Sequence, residues 1–224
     1  MANTNISKKI LYWYDNNKRL LPWRKHYSKR QKQYFTLVSE FMLQQTQVKT
    51  VIPYFEKFVK KIPNLNKLSK IDDKVLMKCW EGLGYYSRAK NLKKTAKKIV
   101  IDFKGSLPDN ADSLKTLPGI GDYTSNAIMA IAFNIPVIPL DGNVERILKR
   151  ILYLKKDHEV TKENLYKKKL IFGKSKRSSD YAQAIMEIGA LICKPHNPLC
   201  TKCPIFKNCI SYKKKDFEIT SKNK

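Results

Sequence analysis

The chain has 224 residues, and its 45 Lys+Arg against 19 Asp+Glu leave a formal charge of +26. Apolar residues make up 42% of it and aromatics 11%, enough to bury a core, which excludes a disordered chain. No run approaches the ~18 uncharged apolar residues of a spanning helix, which excludes one, and the start through Lys9 lacks the apolar centre of a signal peptide; a soluble, cytoplasmic protein is expected.

Helical spacing recurs along the chain and alternating strand patterns are absent, so the fold class is all-α. Ile6, Ile10, Leu11, Trp13 and Tyr14 form one helical face before a break at Leu20-Leu21-Pro22-Trp23. Further helices are predicted over 34–48 and 51–61, the second ending before Pro63. Asp72 can cap a helix carrying Val75, Leu76 and Trp80, which Gly82 and Gly84 end, and Ser87 can cap the next one. Later helices fit 122–133, 143–154, 161–171 and 179–193, and a basic tail from Lys213 reads as disordered. So large a positive charge suits a polyanion, since neutralising phosphates releases their counterions; a Lys-rich, Ile- and Asn-rich composition also arises in an AT-rich genome without any such partner.

Four positions or clusters carry chemistry. Between Tyr34 and Val48 the only charged residue is Glu40, on one side with Gln44 and Gln47; a carboxyl in such apolar surroundings is pushed toward the protonated form, as a general acid needs, although a buried structural Glu has the same signature. Leu117-Pro118-Gly119-Ile120-Gly121-Asp122-Tyr123-Thr124 joins two helical segments, and its glycines with the following helix N-terminus can hold a phosphate, or simply make a tight turn. Asp141 precedes Gly142-Asn143 and reads as a helix N-cap, with Asn143 able to take that role and leave Asp141 free. Glu40 with Asp141 would suit glycosidic cleavage through an oxocarbenium-like state. Finally, Cys193, Cys200, Cys203 and Cys209 fall within seventeen residues; in a reducing compartment they point to a metal, an iron–sulfur cluster ahead of zinc because only one C-x2-C pair is present. Cys79 beside Trp80 reads as core.

Together, Leu21-Pro22-Trp23, the block from Ser39 to Val48, Gly82-Leu83-Gly84-Tyr85-Tyr86-Ser87-Arg88-Ala89, the hairpin, Leu140-Asp141-Gly142-Asn143-Val144 and the cysteine loop resemble the helix-hairpin-helix DNA glycosylase superfamily, and within it the MutY-type adenine DNA glycosylases. The resemblance runs from Trp13 to Cys209. It implies a two-lobed all-α fold: a helical barrel over 26–137 with the hairpin motif at about 113–133, and a cluster domain of 1–25 with 138–212, leaving 213–224 as the tail. It implies a [4Fe-4S] cluster on Cys193, Cys200, Cys203 and Cys209. The residue matching Glu40 protonates adenine and that matching Asp141 stabilises the sugar cation. Those matching Gln44, Gln45 and Tyr85 enter the duplex at the flipped adenine or beside its partner base, while Tyr123 and Asn143 line or support the pocket. Gly119, Gly121 and Lys194 are the expected phosphate contacts.

Relatives resembling endonuclease III carry a Schiff-base lysine where this chain has Tyr123, so a monofunctional enzyme is expected. The expected partner is double-stranded DNA with an adenine mismatch, opposite 8-oxoguanine or guanine, acted on by a monomer in the cytoplasm near the nucleoid, with no membrane. Typical members continue into a β-rich domain that recognises 8-oxoguanine; this sequence stops soon after the cysteine loop, which bears on the partner base. The rival readings are a thymine or uracil mismatch glycosylase of the same superfamily and a non-catalytic DNA-binding module with a structural metal.

Overall fold

The computed structural model describes residues 4–25, 28–155 and 161–218, which hold helices and no strand. They divide into two compact units, one of Arg19–Phe133, the other joining the N-terminal helix to the chain from Asn134 onward.

The first unit holds α2 (Lys29–Leu43), α3 (Val48–Lys61), α4 (Leu65–Lys70), α5 (Asp73–Trp80), α6 (Ser87–Asp102), α7 (Ala111–Lys115) and α8 (Asp122–Phe133), numbered after α1 (Thr4–Asn17). Local chemistry starts most of them: Ser28, Asn64, Asp72 and Asn110 each accept a hydrogen bond from an otherwise orphaned backbone N–H of the first turn. Every side chain from Tyr34 to Met42 is buried, so α2 is the unit's central helix, against which α8, α3 and α6 pack. Phe35, Phe55 and Trp23 continue the core, Phe55 meeting Trp23 edge-on at 5.4 Å and Phe35 at 5.2 Å.

Residues 19–25, expected with the cluster domain, therefore pack in this unit: the 3-10 turn Pro22–Arg24 lies against α2 and α3, and Trp23 is the anchor that holds it there. The predicted helix over 34–48 also stops early, at Leu43, because Gln45 takes a left-handed conformation (φ 56°). Gln47 is consequently not on the helix of Glu40 but is the N-cap of α3. Ser87 is the first helical residue of α6 rather than its cap, which is Tyr86.

The second unit holds α1, α9 (Gly142–Leu152), α10 (Lys162–Lys168), α11 (Ser178–Leu191) and α12 (Ile210–Lys213). Ile6, Ile10 and Tyr14 recur at i, i+4 and i+8 and are buried with Ile147, Ile151, Tyr181, Ile185 and Ile188 in one core. The tail read as disordered from Lys213 is ordered through Glu218: the Tyr153 hydroxyl donates to Asp216 at 2.7 Å, Lys155 pairs with the same carboxylate, and the Phe217 carbonyl accepts from Arg150 Nε at 3.3 Å. Charge pairing across more than sixty residues fixes this segment, which local composition does not reveal. The rest of the predicted tail, 219–224, lies outside the described residues.

Candidate functional site

Glu40 lies in the buried stretch of α2 and is 4% exposed. One turn later the helix ends, and the Gln44 side chain crosses to the hairpin, its Nε2 donating to the Gly119 carbonyl at 3.2 Å and lying 3.4 Å from Thr124 Oγ1. Gln44 is thus engaged within the unit, while Gln45 is exposed on the left-handed turn. The hairpin follows α7, whose partner α8 starts at Asp122 and carries half-buried Tyr123 on its first turn. Thr95 Oγ1 donates to the Pro118 carbonyl at 2.8 Å and holds the turn against α6.

The fold constrains its two glycines unequally. Gly119 has φ 82°, and a Cβ there would stand 2.9 Å from Phe41 Cε1, so both backbone and packing demand glycine. At Gly121 a Cβ would meet nothing within 4 Å and the backbone is not left-handed, so neither packing nor conformation within the fold requires glycine there. Tyr85, on the loop after α5, is 59% exposed and also left-handed (φ 48°). Glu40, Gln44, Gln45, Tyr85, Gly119, Gly121 and Tyr123 all belong to one unit.

The other unit carries Asp141, Asn143, Lys194 and the cysteines. Asp141 is itself the N-cap of α9: Oδ1 accepts from Val144 N at 2.7 Å and Oδ2 from Asn143 Nδ2 at 3.1 Å. Asn143 does not take over the cap; it orients the second carboxylate oxygen and accepts from Arg146 Nη2 at 2.8 Å. Both oxygens of Asp141 are thereby fixed in direction.

Arg146 and Arg150, one helical turn apart, connect that cap to the cysteine loop. Arg146 Nε donates to the Cys193 carbonyl at 2.7 Å and Nη2 to the Gly189 carbonyl at 2.8 Å. Burial pulls the Arg146 pKa down from the ordinary guanidinium value, with the charges of Cys193 and Asp141 acting against it. Arg150, 4% exposed, donates to the carbonyls of Lys194 (2.6 Å) and Pro195 (2.7 Å), and its Nη1 lies 3.4 Å from Cys193 Sγ. Gly189 completes the arrangement: a Cβ there would stand 2.5 Å from Asn143 Cβ, so only glycine lets the Asp141–Asn143 turn seat on α11.

Cys193, Cys200, Cys203 and Cys209 line one apolar cavity with Ile147 and Ile188, and none is in a disulfide. Among the described residues no three His, Cys, Asp or Glu groups converge as on a single ion; the thiols stand around the cavity wall. Burial pushes the Cys203 thiol up to about 12 and raises those of Cys200 and Cys209. Four soft donors around one apolar space, with the buried Arg150 guanidinium beside Cys193, have the chemistry to hold a thiolate-ligated metal centre, whose negative charge Arg150 would offset. Lys194 is exposed on the loop these contacts shape, and Cys79 is half-buried.

Sequence reading missed Arg88, Arg146, Arg150 and Gly189. A glycine inside a predicted helix costs about 1 kcal/mol against alanine and was a readable sign of close packing at 189. The arginines also had a signal: only seven of the 45 cationic residues are Arg, and the fork of a guanidinium is what lysine cannot supply.

The family profile "HhH-GPD superfamily base excision DNA repair protein" matches residues 38–170. The chain is 40% identical over 215 residues to an adenine DNA glycosylase of Buchnera aphidicola subsp. Baizongia pistaciae, covering 95% of this chain and 60% of that protein. It is 38% identical over 218 residues to an adenine DNA glycosylase of Mus musculus, covering 94% and 42%. The chain thus spans about 60% or less of the length of these relatives. Among solved structures, a thermostable thymine-DNA glycosylase superposes with a TM-score of 0.82 at 27% identity, over 96% of this chain and 100% of that one. A trapped endonuclease III–DNA covalent intermediate superposes at 0.74 and 22% identity, over 94% and 95%, a likeness of fold. By the matched profile and these relatives, the chain belongs to the HhH-GPD superfamily of base excision DNA repair proteins.

Proposed function

We propose that the protein is a monofunctional DNA glycosylase that flips and hydrolytically removes adenine mispaired with 8-oxoguanine or guanine. The observation that carries this reading is Glu40: a carboxyl buried in the part of α2 from Tyr34 to Leu43, which holds no other charged residue, one turn from a segment tied to the glycine hairpin. Similarity to relatives named adenine DNA glycosylase supports adenine as the substrate.

Adenine is a poor leaving group until a ring nitrogen is protonated, and Glu40 supplies that proton. The C1′–N bond breaks with its electron pair going to the base. Asp141, its two oxygens oriented by Val144 N and Asn143 Nδ2, stabilises the cationic sugar, and water adds at C1′, giving up a proton to solvent, to leave free adenine and an abasic site. Gln45 and Tyr85 fill the space the base vacates, which offsets part of the few kcal/mol that extrusion costs. Gln44 sets the turn that carries Gln45, and Tyr123, with no amine to form a Schiff base, keeps the reaction to hydrolysis. Gly119, Gly121 and Lys194 meet phosphates.

A [4Fe-4S] cluster on Cys193, Cys200, Cys203 and Cys209 would shape the loop bearing Lys194 and supply no chemistry to base release. The spacing of the cysteines in the sequence, with a single C-x2-C pair, supports it over zinc. The chain acts as a monomer on mismatched duplex, in the cytoplasm near the nucleoid; among the described residues no helix is long and apolar enough to cross a membrane.

The deciding assay is base release from duplexes with adenine opposite 8-oxoguanine, adenine opposite guanine, or thymine opposite guanine, read with and without alkali. Adenine release with alkali-dependent strand cleavage is expected. Thymine release alone would instead favour the second reading, to which the superposition on a thymine-DNA glycosylase over that chain's full length lends weight. Strand cleavage without alkali at the rate of base release would overturn monofunctionality.

The two glycines give a second expected result. Gly121→Ala should leave the melting temperature unchanged and weaken duplex binding several-fold, whereas Gly119→Ala should cost about 1–2 kcal/mol of stability from its left-handed backbone alone. Thermal melts with a fluorescence-anisotropy titration separate them; equal affinity for Gly121→Ala and the wild type would remove this glycine from the interface.

A further inference from the structure

Arg88 is 6% exposed, yet its partners are neutral: all five of its hydrogen bonds go to backbone carbonyls. Nη1 donates to Phe41 (3.2 Å), Met42 (2.7 Å) and Gln44, and Nη2 to Leu83 (3.2 Å) and Gly84 (3.1 Å). Three of these carbonyls belong to the end of α2, where the helix leaves its last acceptors unsatisfied and its dipole favours a cation. The other two belong to the loop after α5. The guanidinium also lies 5.6 Å from the centroid of the Trp80 ring and 5.3 Å from that of Tyr85. Trp80 Nε1 in turn donates to the Gly84 carbonyl at 3.1 Å.

The two segments that share this one side chain each contain an exposed residue in the left-handed region, Gln45 (φ 56°) and Tyr85 (φ 48°). Such a backbone costs about 1–2 kcal/mol for a residue with a Cβ and persists only where surrounding contacts impose it. Here the contacts are those of Arg88, on the residues immediately before each strained position. Lysine could keep the charge but not span five carbonyls in two directions.

We infer that Arg88 is a positioning residue that locks the Gln44–Gln45 turn and the Leu83–Tyr85 loop into one rigid unit, so that the two enter a duplex together rather than independently. What the segments do on DNA rests on the glycosylase reading; the lock does not. A misplacement of about 1 Å near a reacting group can cost on the order of 10²-fold in rate, which sets the expected size of the effect.

The test uses Arg88→Lys in the full chain. Single-turnover adenine release should fall about 10²-fold, while binding to undamaged duplex, governed by phosphate contacts, changes no more than a few-fold. In hydrogen exchange, segments 43–47 and 82–86 should lose protection together while α8 keeps its own. A merely structural loss would lower protection across the unit in proportion to the melting temperature. Wild-type release by Arg88→Lys, or loss of protection in 82–86 alone, would overturn the inference. Should the variant not fold, the wild-type protein decides: the two segments must exchange with one common opening free energy, and separate values refute the lock. A wild-type chain that releases no adenine defeats the functional reading, and exchange alone then judges Arg88.

Discussion

Glu40→Gln is expected to lower single-turnover adenine release by about 10²–10⁴-fold, the range that positioned general acids contribute. The substitution keeps the size and planarity of the side chain at a position 4% exposed, so packing around Phe41 and Met42 is retained. It removes only the proton that the leaving base must receive. Affinity for mismatched duplex should stay within a few-fold, because the residues proposed to meet phosphates (Gly119, Gly121, Lys194) and to fill the vacated stack (Gln45, Tyr85) are left intact. The measurement is a rapid-quench time course at saturating enzyme, with a binding titration on a non-cleavable adenine analogue. A variant that binds and cleaves like the wild type would leave Glu40 a buried structural acid and remove the chemical centre of the proposal. A variant that loses binding and catalysis in equal measure would assign it to the scaffold.

Arg150→Met should show the largest loss of stability. The arginine is 4% exposed and donates to the carbonyls of Lys194, Pro195 and Phe217, so its removal takes the donor from three acceptors at once. Losing these charge-assisted hydrogen bonds costs on the order of 3 kcal/mol, or a fall in melting temperature of roughly 10 °C for a chain of this size. It also removes the cation beside Cys193, so iron and acid-labile sulfide per chain should drop with the melting temperature. Arg150→Lys should recover only part of the stability, since one ammonium cannot reach three carbonyls set in different directions. Differential scanning calorimetry and iron analysis test both variants. An unchanged melting temperature with full iron content would mean that the loop holds its own shape and that Arg150 is incidental to it.

Much of the site was legible because its signals are local. Asp72 and Asp141 cap the helices that follow them, the run around Glu40 is buried because it is uncharged, and the cysteines line one cavity as their spacing suggested. The end of α2 was not legible. Nothing in Gln44-Gln45-Thr46-Gln47 opposes a helix, and continuing it put Gln47 on the face of Glu40; the segment turns instead, with Arg88 taking the freed carbonyls. Residues 214–218 read as tail because a short basic stretch has no pattern, yet Asp216 and Phe217 find partners on the other side of their unit.

The sequence by itself therefore determined the helices, their caps, the identity of the candidate acids and the four thiols, because periodicity and capping act within about one turn of the residues that cause them. Only the tertiary structure decided how those groups are held. Arg88 reaches carbonyls 44 to 47 residues away, Arg146 reaches Cys193 across 47, and Arg150 reaches Lys194 across 44. Gly189 matters only because Asn143 lies against it. A guanidinium binding a distant backbone carbonyl leaves no trace in residue type at the accepting end, since every residue has that carbonyl, and so such contacts exist for a reader only once the chain is folded.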